Sequence, residues 1–255
     1  MNAVTAIVLA GERPGGDPLA RAFGAPLKAL ISVAGEPMVR RPVAALLASE
    51  AIGQVRVLAQ DVASIAAVLP SDPRLSVTPS KASIAATLEA LCTDPATTWP
   101  VLVTTADHAL LDPAMIADFL AGAAQADVAA GVAEQAALLA RLPATRRTWL
   151  RFRGGAYSGA NLFLLGSPQV APAIALWRSV EQDRKKGWRL LGVLGPATLL
   201  GAGLRLLTLD QVLARAGRKL GLTVRAVRMR DPLAAVDVDK PDDHALVEAI
   251  IAGRA

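Results

Sequence analysis

The sequence predicts an α/β fold, a three-layer αβα arrangement around a mostly parallel mixed sheet. Three observations carry that expectation. Short β-rich runs alternate with alanine- and leucine-rich helical stretches, the signature of βαβ units. The first run, VTAIVLA at 4–10, is apolar throughout, as a strand covered on both faces must be. Three runs also end in polar residues: AGERPGG after the first, TTADH after the fourth, and DVDKP late in the chain. Open α/β sheets bind ligands just beyond the carboxyl ends of their strands.

The elements follow in order. After strand 4–10, EPMVRRPVAALLASEA (36–51) reads as a helix that Pro42 should kink or restart. Strand 54–60 leads into a short helix at 62–69, and strand 74–79 into a helix at 81–92. Strand 100–107 is followed by a helix at 113–126, with Pro113 suited to its first turn and Asp112 to its N-cap. A fifth strand is expected at 127–134. Beyond residue 140 the rhythm changes to a basic arm at 141–153, a strand at 157–166, and two or three helices between 168 and 220. Gly221 should end the last of these. Strands at 222–229 and 234–239 and a closing helix complete the pattern.

A chain of 255 residues, 53% hydrophobic, has material for one large core. A single domain, 1–255, is expected, with an acceptor-binding insertion at about 140–220. Mean hydropathy is high at +0.40, yet no 18-residue apolar run occurs, so no stable membrane insertion is expected. Residues 4–10 are too short for a secretory signal, and the lone Cys92 suits a reducing compartment. A cytoplasmic location is the corresponding expectation. Net charge is +5, with five arginines in 141–153 and four basic residues in 184–189. Aromatics are only 4% of the chain, so these clusters fit a phosphate-bearing small molecule better than nucleic acid. A solvated arginine-rich face is the plain alternative.

The loop after strand one lacks both the G-x-G-x-x-G spacing and a following G-K-[ST]. It offers flexible backbone at Gly11, Gly15 and Gly16, where N–H groups could approach a polyphosphate, with Arg13 and Lys28 as flanking cations. An ordinary glycine-rich turn fits the composition equally. Asp107, at the end of a strand, suits Mg²⁺ where a substrate supplies phosphate oxygens. Asp237 and Asp239, two apart, should face one side. Asp242 and Asp243 are accounted for by the dipole of the last helix, and His108 is expected to be a satisfied or solvent-facing imidazole rather than a catalytic one.

VLAG with its glycine-rich loop, the lysine after AP, VAGEPMV, TTADHALL and VDVDKPDDHALV together resemble the MobA-like nucleotidyltransferase family, enzymes of GT-A type. The resemblance spans the first 130 residues and the last 20; the middle matches only through SGANLFLL. It implies transfer of a nucleoside monophosphate from an NTP to a small phosphorylated acceptor, with release of pyrophosphate. On this resemblance Leu9, Ala10, Gly11, Glu12, Arg13, Gly15, Gly16 and Lys28 would bind the nucleotide, with Arg13 and Lys28 neutralising charge in catalysis. Asp107 and Asp237 would hold Mg²⁺. Ser83, in PSKASIAATLEAL, matches the serine with which cytidylyltransferases of this fold contact the base, which favours CTP. Arg146, Arg147, Arg151, Asn161, Lys185 and Lys186 would grip the acceptor, from the same subunit or a neighbour's, which leaves a homodimer open.

Two departures stand out. Glu12 occupies a position where the family carries a small residue, and 16 residues separate Gly11 from Lys28. Such an acid must pair, with Arg13 or Arg21, or read the base or metal. The rival readings are a nucleotide-sensing protein on the same scaffold, a GT-A glycosyltransferase using 237–239 as its D-x-D, and a nucleic-acid binder.

Overall fold

The computed structural model describes residues 3–12, 15–81, 83–181 and 195–254. Arg13, Lys185 and Lys186 lie outside them. The centre is β1 (Val4–Leu9), buried on both faces as its apolar run requires. Ala6 and Val8 join one hydrophobic cluster, while Ile7 points into the other with Val101 and Val103. β1 pairs in parallel with β4 (Ile52–Ala59), which pairs in parallel with β5 (Leu75–Pro79). On its other side β1 pairs in parallel with β6 (Val101–Thr105). Next comes the single reversed strand of this row, β9 (Gly155–Leu165), antiparallel to both β6 and β7 (Val128–Glu134). β10 (Val224–Arg228) closes the row beside β7, and β8 (Leu150–Phe152) hangs on β9. The order β10-β7-β9-β6-β1-β4-β5 is the mostly parallel mixed sheet that the sequence predicts. The stretch expected as an insertion therefore supplies β8 and β9 to the sheet itself.

Helices cover both faces. One face holds α2 (Arg40–Ala48), α3 (Val62–Val68) and α5 (Pro113–Gly122) over a core that includes Leu46, Ile65 and Phe119. The other holds α4 (Ile84–Thr93) and α7 (Ala171–Glu181), with Leu88 and Ile174 buried beneath them. Caps set the boundaries. Asp112 accepts from the Met115 N–H (2.7 Å) with Pro113 in the first turn, as expected. Gly221, at φ +69°, ends the helix Leu209–Leu220.

Two elements differ from expectation. Residues 36–51 do not form one helix: β2 (Ser32–Val33) and β3 (Glu36–Pro37) make a tight hairpin, and α2 starts only at Arg40. Pro42 consequently falls in the first turn, where its missing N–H costs nothing, and it introduces no break. Residues 234–239 are not a strand. A 3₁₀ turn, Pro232–Ala235, is capped by Asp231, and the chain beyond it is extended without a ladder. The Val238 N–H instead donates to the Asp107 carbonyl (3.2 Å), laying this segment against the end of β6.

The closing helix α10 (Pro241–Ile251; the remaining helices among the described residues are α1, Pro18–Ala22, α6, Gln135–Arg141, α8, Pro196–Gly203, and α9, the helix ended by Gly221) is pinned to the hairpin. His244 donates from Nε2 to the Ser32 carbonyl (2.6 Å), and the Ala34 N–H donates to Glu248 (2.9 Å). These bonds fix the chain just beyond Asp237 and Asp239.

His108 is wholly buried, with Nδ1 3.3 Å from the Thr104 hydroxyl. Burial pushes its pKa from the ordinary 6.5 down to about 4. Above 6.5 the imidazole is neutral in both folded and unfolded chains and stability is indifferent to it. Between 6.5 and about 4 only the unfolded chain takes up the proton, so stability falls with pH by about 1.4 kcal/mol per unit. Chemical denaturation at pH 7 and pH 5 should show this loss in the wild type and a shallower one in His108→Gln.

Candidate active site

Strands β1 and β6 end side by side, and the pairing of β1 with β4 and with β6 runs on past the last strand residues. The Ala10 N–H donates to Leu58 and the Ala106 N–H to Leu9. From these ends the chain enters the glycine loop on one side and Thr105–Asp107 on the other. Gly15 and Gly16 take φ of +94° and +79°, the left-handed backbone that lets successive N–H groups turn toward an anion. Asp17 then caps α1 through the Leu19 N–H (2.7 Å).

Lys28 begins a single 3₁₀ turn and reaches across the strand ends. Its ammonium lies 2.6 Å from Asp107 Oδ2 and 2.7 Å from Asp239 Oδ1. Burial alone would lower its pKa, but the Asp107 and Asp239 carboxylates outweigh that and hold it above the ordinary lysine value. Asp107 Oδ1 accepts from the Thr105 hydroxyl (2.5 Å), which fixes the carboxylate's rotation.

Asp237 stands beside this pair in a second ion pair, with Arg147. It also accepts from Asn161 Nδ2 (2.9 Å). Arg147 is nine-tenths buried and lies 3.5 Å from Asp243 as well. Burial pushes the Asp237 carboxyl above its ordinary range; Arg147 pulls it back, and Asp239 and Asp107 push it up again. Asn161 reaches Asp237 because of a bulge. Ala130 faces Phe163 but Val132 faces Gly159, so residues 160–162 of β9 stand opposite Gly131 alone. Asn161 takes φ +48° there, a strained conformation of the kind found at functional sites.

The expected residues thus divide. Lys28, Asp107, Asp237, Arg147 and Asn161 converge. Arg147 and Asn161, which were expected to grip an acceptor, both contact Asp237. Arg146 and Arg151 are exposed, on the arm and on β8, outside the cluster. Ser83 caps α4, its hydroxyl accepting from the Ala86 N–H (3.2 Å). Among the described residues Glu12 makes no ion pair with Arg21, and Arg13 lies outside them; its carboxylate accepts from the Lys28 backbone N–H (2.6 Å).

Asp239 and Asp243 join the site although neither was expected in it. The two-residue spacing 237–239 was the available signal for Asp239. Asp243 was masked by its suitability for a helix start; it also accepts from the Asp239 N–H (3.2 Å). Asp107, Asp237, Asp239 and Asp243 carry four negative charges against two on Lys28 and Arg147, a formal balance of −2. Among the described residues no three acidic, histidine or cysteine side chains already form a metal cage.

A family model described as the MobA-like NTP transferase domain matches residues 6–197. The chain belongs to the MobA-like NTP transferase family. A solved hypothetical transferase from Thermus thermophilus is 31% identical, covers 95% of this chain and 99% of its own, and superposes with a TM-score of 0.77. CMP:2-keto-3-deoxy-manno-octonic acid synthetase, solved in complex with CTP, has TM-score 0.59 at 15% identity, covering 99% and 100%. 4-Diphosphocytidyl-2C-methyl-D-erythritol synthase from Anaerococcus prevotii has 0.61 at 8%, covering 98% of each chain. The last two show that the fold is shared. No protein of curated function matches the sequence. In this MobA-like chain the matched region holds Lys28, Asp107 and Asn161, while Asp237, Asp239 and Asp243 lie beyond its end.

If Arg147 balances buried carboxylates, Arg147→Met should cost about 3 kcal/mol, because it strands Asp237 and Asp243 without a counter-charge. Adding Asp237→Asn should recover part of that loss. Urea denaturation of the two variants checks it; a surface-type pair would give less than about 1 kcal/mol and no recovery.

Proposed function

We propose that this member of the nucleotidyltransferase family transfers a nucleoside monophosphate from an NTP, with CTP favoured, to a small phosphorylated acceptor and releases pyrophosphate. The observation that carries the reading is the −2 cluster at the carboxyl ends of β1 and β6, opening beside left-handed glycines. One divalent cation neutralises that balance. Asp107 and Asp237 are the residues that would hold Mg²⁺, which commonly takes one or two carboxylates and completes its shell with water and substrate phosphate. The donor set fits: each carboxylate oxygen now accepting one hydrogen bond has a further lone pair, and Asp237 is held in place by Arg147 and Asn161. A bound Mg²⁺ would supply charge neutralisation at the α-phosphate.

The chain's own residues do the rest. Backbone N–H groups around Gly15 and Gly16 bind the triphosphate, with Leu9, Ala10 and Gly11 forming the floor at the strand end. Lys28 leaves its carboxylates and follows the charge that builds on the departing pyrophosphate, joined by Arg13. An ionised phosphate oxygen of the acceptor forms the new bond to the α-phosphorus; the α–β bridging bond breaks, and its electron pair leaves with pyrophosphate. No proton has to be removed from that nucleophile, so no general base is required. His108, neutral and wholly buried, takes no part. Catalysis is then positioning and electrostatic stabilisation.

The preference for CTP rests on Ser83, at the N-terminus of α4, and on the CTP complex of the similarly folded synthetase. Acceptor recognition falls to the segment at about 140–220, where Arg146 and Arg151 are exposed, together with Lys185 and Lys186. Pyrophosphate release should therefore be measured with Mg²⁺, each of the four NTPs, and a panel of phosphorylated acceptors. One NTP and one acceptor class should support release. Asp107→Ala should lower the rate on the order of 10³-fold, several kcal/mol of lost charge stabilisation. An Asp107→Ala enzyme as fast as the wild type would refute the assignment.

A further inference from the structure

Glu12 and Gln60 form a contact that the transfer reaction does not itself call for. β1 and β4 pair in parallel as far as Leu9 and Leu58, and the Ala10 N–H extends the ladder to the Leu58 carbonyl. Beyond that point the backbones part. Gln60 takes over with its side chain: Oε1 accepts from the Glu12 N–H (2.7 Å) and Nε2 donates to the Glu12 carbonyl (3.0 Å). The amide reproduces both bonds of a further ladder step. It also lies over Gly11, where a Cβ would come within 3.1–3.2 Å of the amide atoms and press on them.

The splinted Glu12 then turns its carboxylate to the Lys28 backbone N–H (2.6 Å), sixteen residues on. The start and end of the glycine loop are thereby tied together, and the tie ends on the residue whose ammonium spans Asp107 and Asp239. A carboxylate receiving an amide N–H makes a charge-assisted bond, stronger than a neutral one. It also accounts for an acid so close to the expected triphosphate: the charge is spent on the backbone at the loop's far end.

We propose that Gln60 and Glu12 are positioning residues, a latch that sets where Lys28 stands relative to the nucleotide. The inference rests on the nucleotidyltransferase reading for its kinetic consequence, and on the contacts alone for its structural one. Gln60→Met removes both amide bonds at nearly constant volume. Glu12→Ala removes the acceptor, whereas Glu12→Gln retains an oxygen at Oε1.

Two readouts test it. Amide hydrogen exchange, followed by NMR on the intact protein, needs no activity. Gln60→Met and Glu12→Ala should each speed exchange at the Lys28 N–H at least tenfold, while Glu12→Gln keeps the protection. Unchanged protection in Gln60→Met would overturn the latch whatever the enzyme does. In the pyrophosphate assay, Gln60→Met and Glu12→Ala should each lower kcat about tenfold with KM changed less, and the double variant should be no worse than either. Glu12→Gln should recover part of the kcat that Glu12→Ala loses. A Glu12→Gln enzyme that binds NTP more tightly and reacts faster would overturn the proposal in favour of simple repulsion. A wild type that releases no pyrophosphate but shows the exchange pattern would strike the proposed function and leave the latch standing.

Discussion

Four carboxylates share two basic side chains at the place where β1 and β6 end, and much of the surrounding structure serves to hold that imbalance. Lys28 must cross from the far end of the glycine loop to reach Asp107 and Asp239. Arg147 must come in from the arm before β8 to reach Asp237 and Asp243. Neither cation can be exposed and still do this; Arg147 is nearly as buried as a core residue. Charges this close, most of them largely out of solvent, are held only where the geometry is specified from several directions. The Val238 bond to Asp107, the hairpin that anchors α10, and the bulge at Asn161 are those directions.

The arrangement also explains why the sheet is mixed. In a wholly parallel sheet the neighbour of β6 would end at the same edge as β6. The reversed β9 runs away from that edge instead, and its bulge turns Asn161 toward the carboxylates. β9 joins β6 only over Val101–Val103, so the last two residues of β6 are released from it just before Asp107. A strand that would be an irregularity elsewhere becomes one wall of the site.

What could be read from the sequence follows physical rules of short range. Apolar runs with turn residues between them gave the parallel strands, and Asp112-Pro113 and Gly221 marked helix ends because caps act within a turn of their own backbone. Asp107 was legible as a polar residue at a strand end, and Lys28 through the motif that carries it. The failures lie where distant segments decide. AAVDVD alternates as a strand does, yet it joins no ladder; its Val238 N–H bonds to the Asp107 carbonyl instead. Arg147 sits in a run of arginines that gives no hint which one turns inward. Gln60 is an unremarkable residue at the end of a strand, and only the divergence of β1 and β4 gives its side chain something to bridge. Glu12 was conspicuous from the sequence, but its partner is a backbone N–H, which no side-chain pattern can announce.

The account depends on a cation and a nucleotide meeting at this cluster, and a crystal structure with CTP and Mn²⁺ tests that most directly. The anomalous signal of manganese should fall between Asp107 and Asp237, with the triphosphate over Gly15 and Gly16 and the Lys28 ammonium moved from Asp107 onto phosphate. Nucleotide bound away from the ends of β1 and β6, with Lys28 still seated between Asp107 and Asp239, would contradict it.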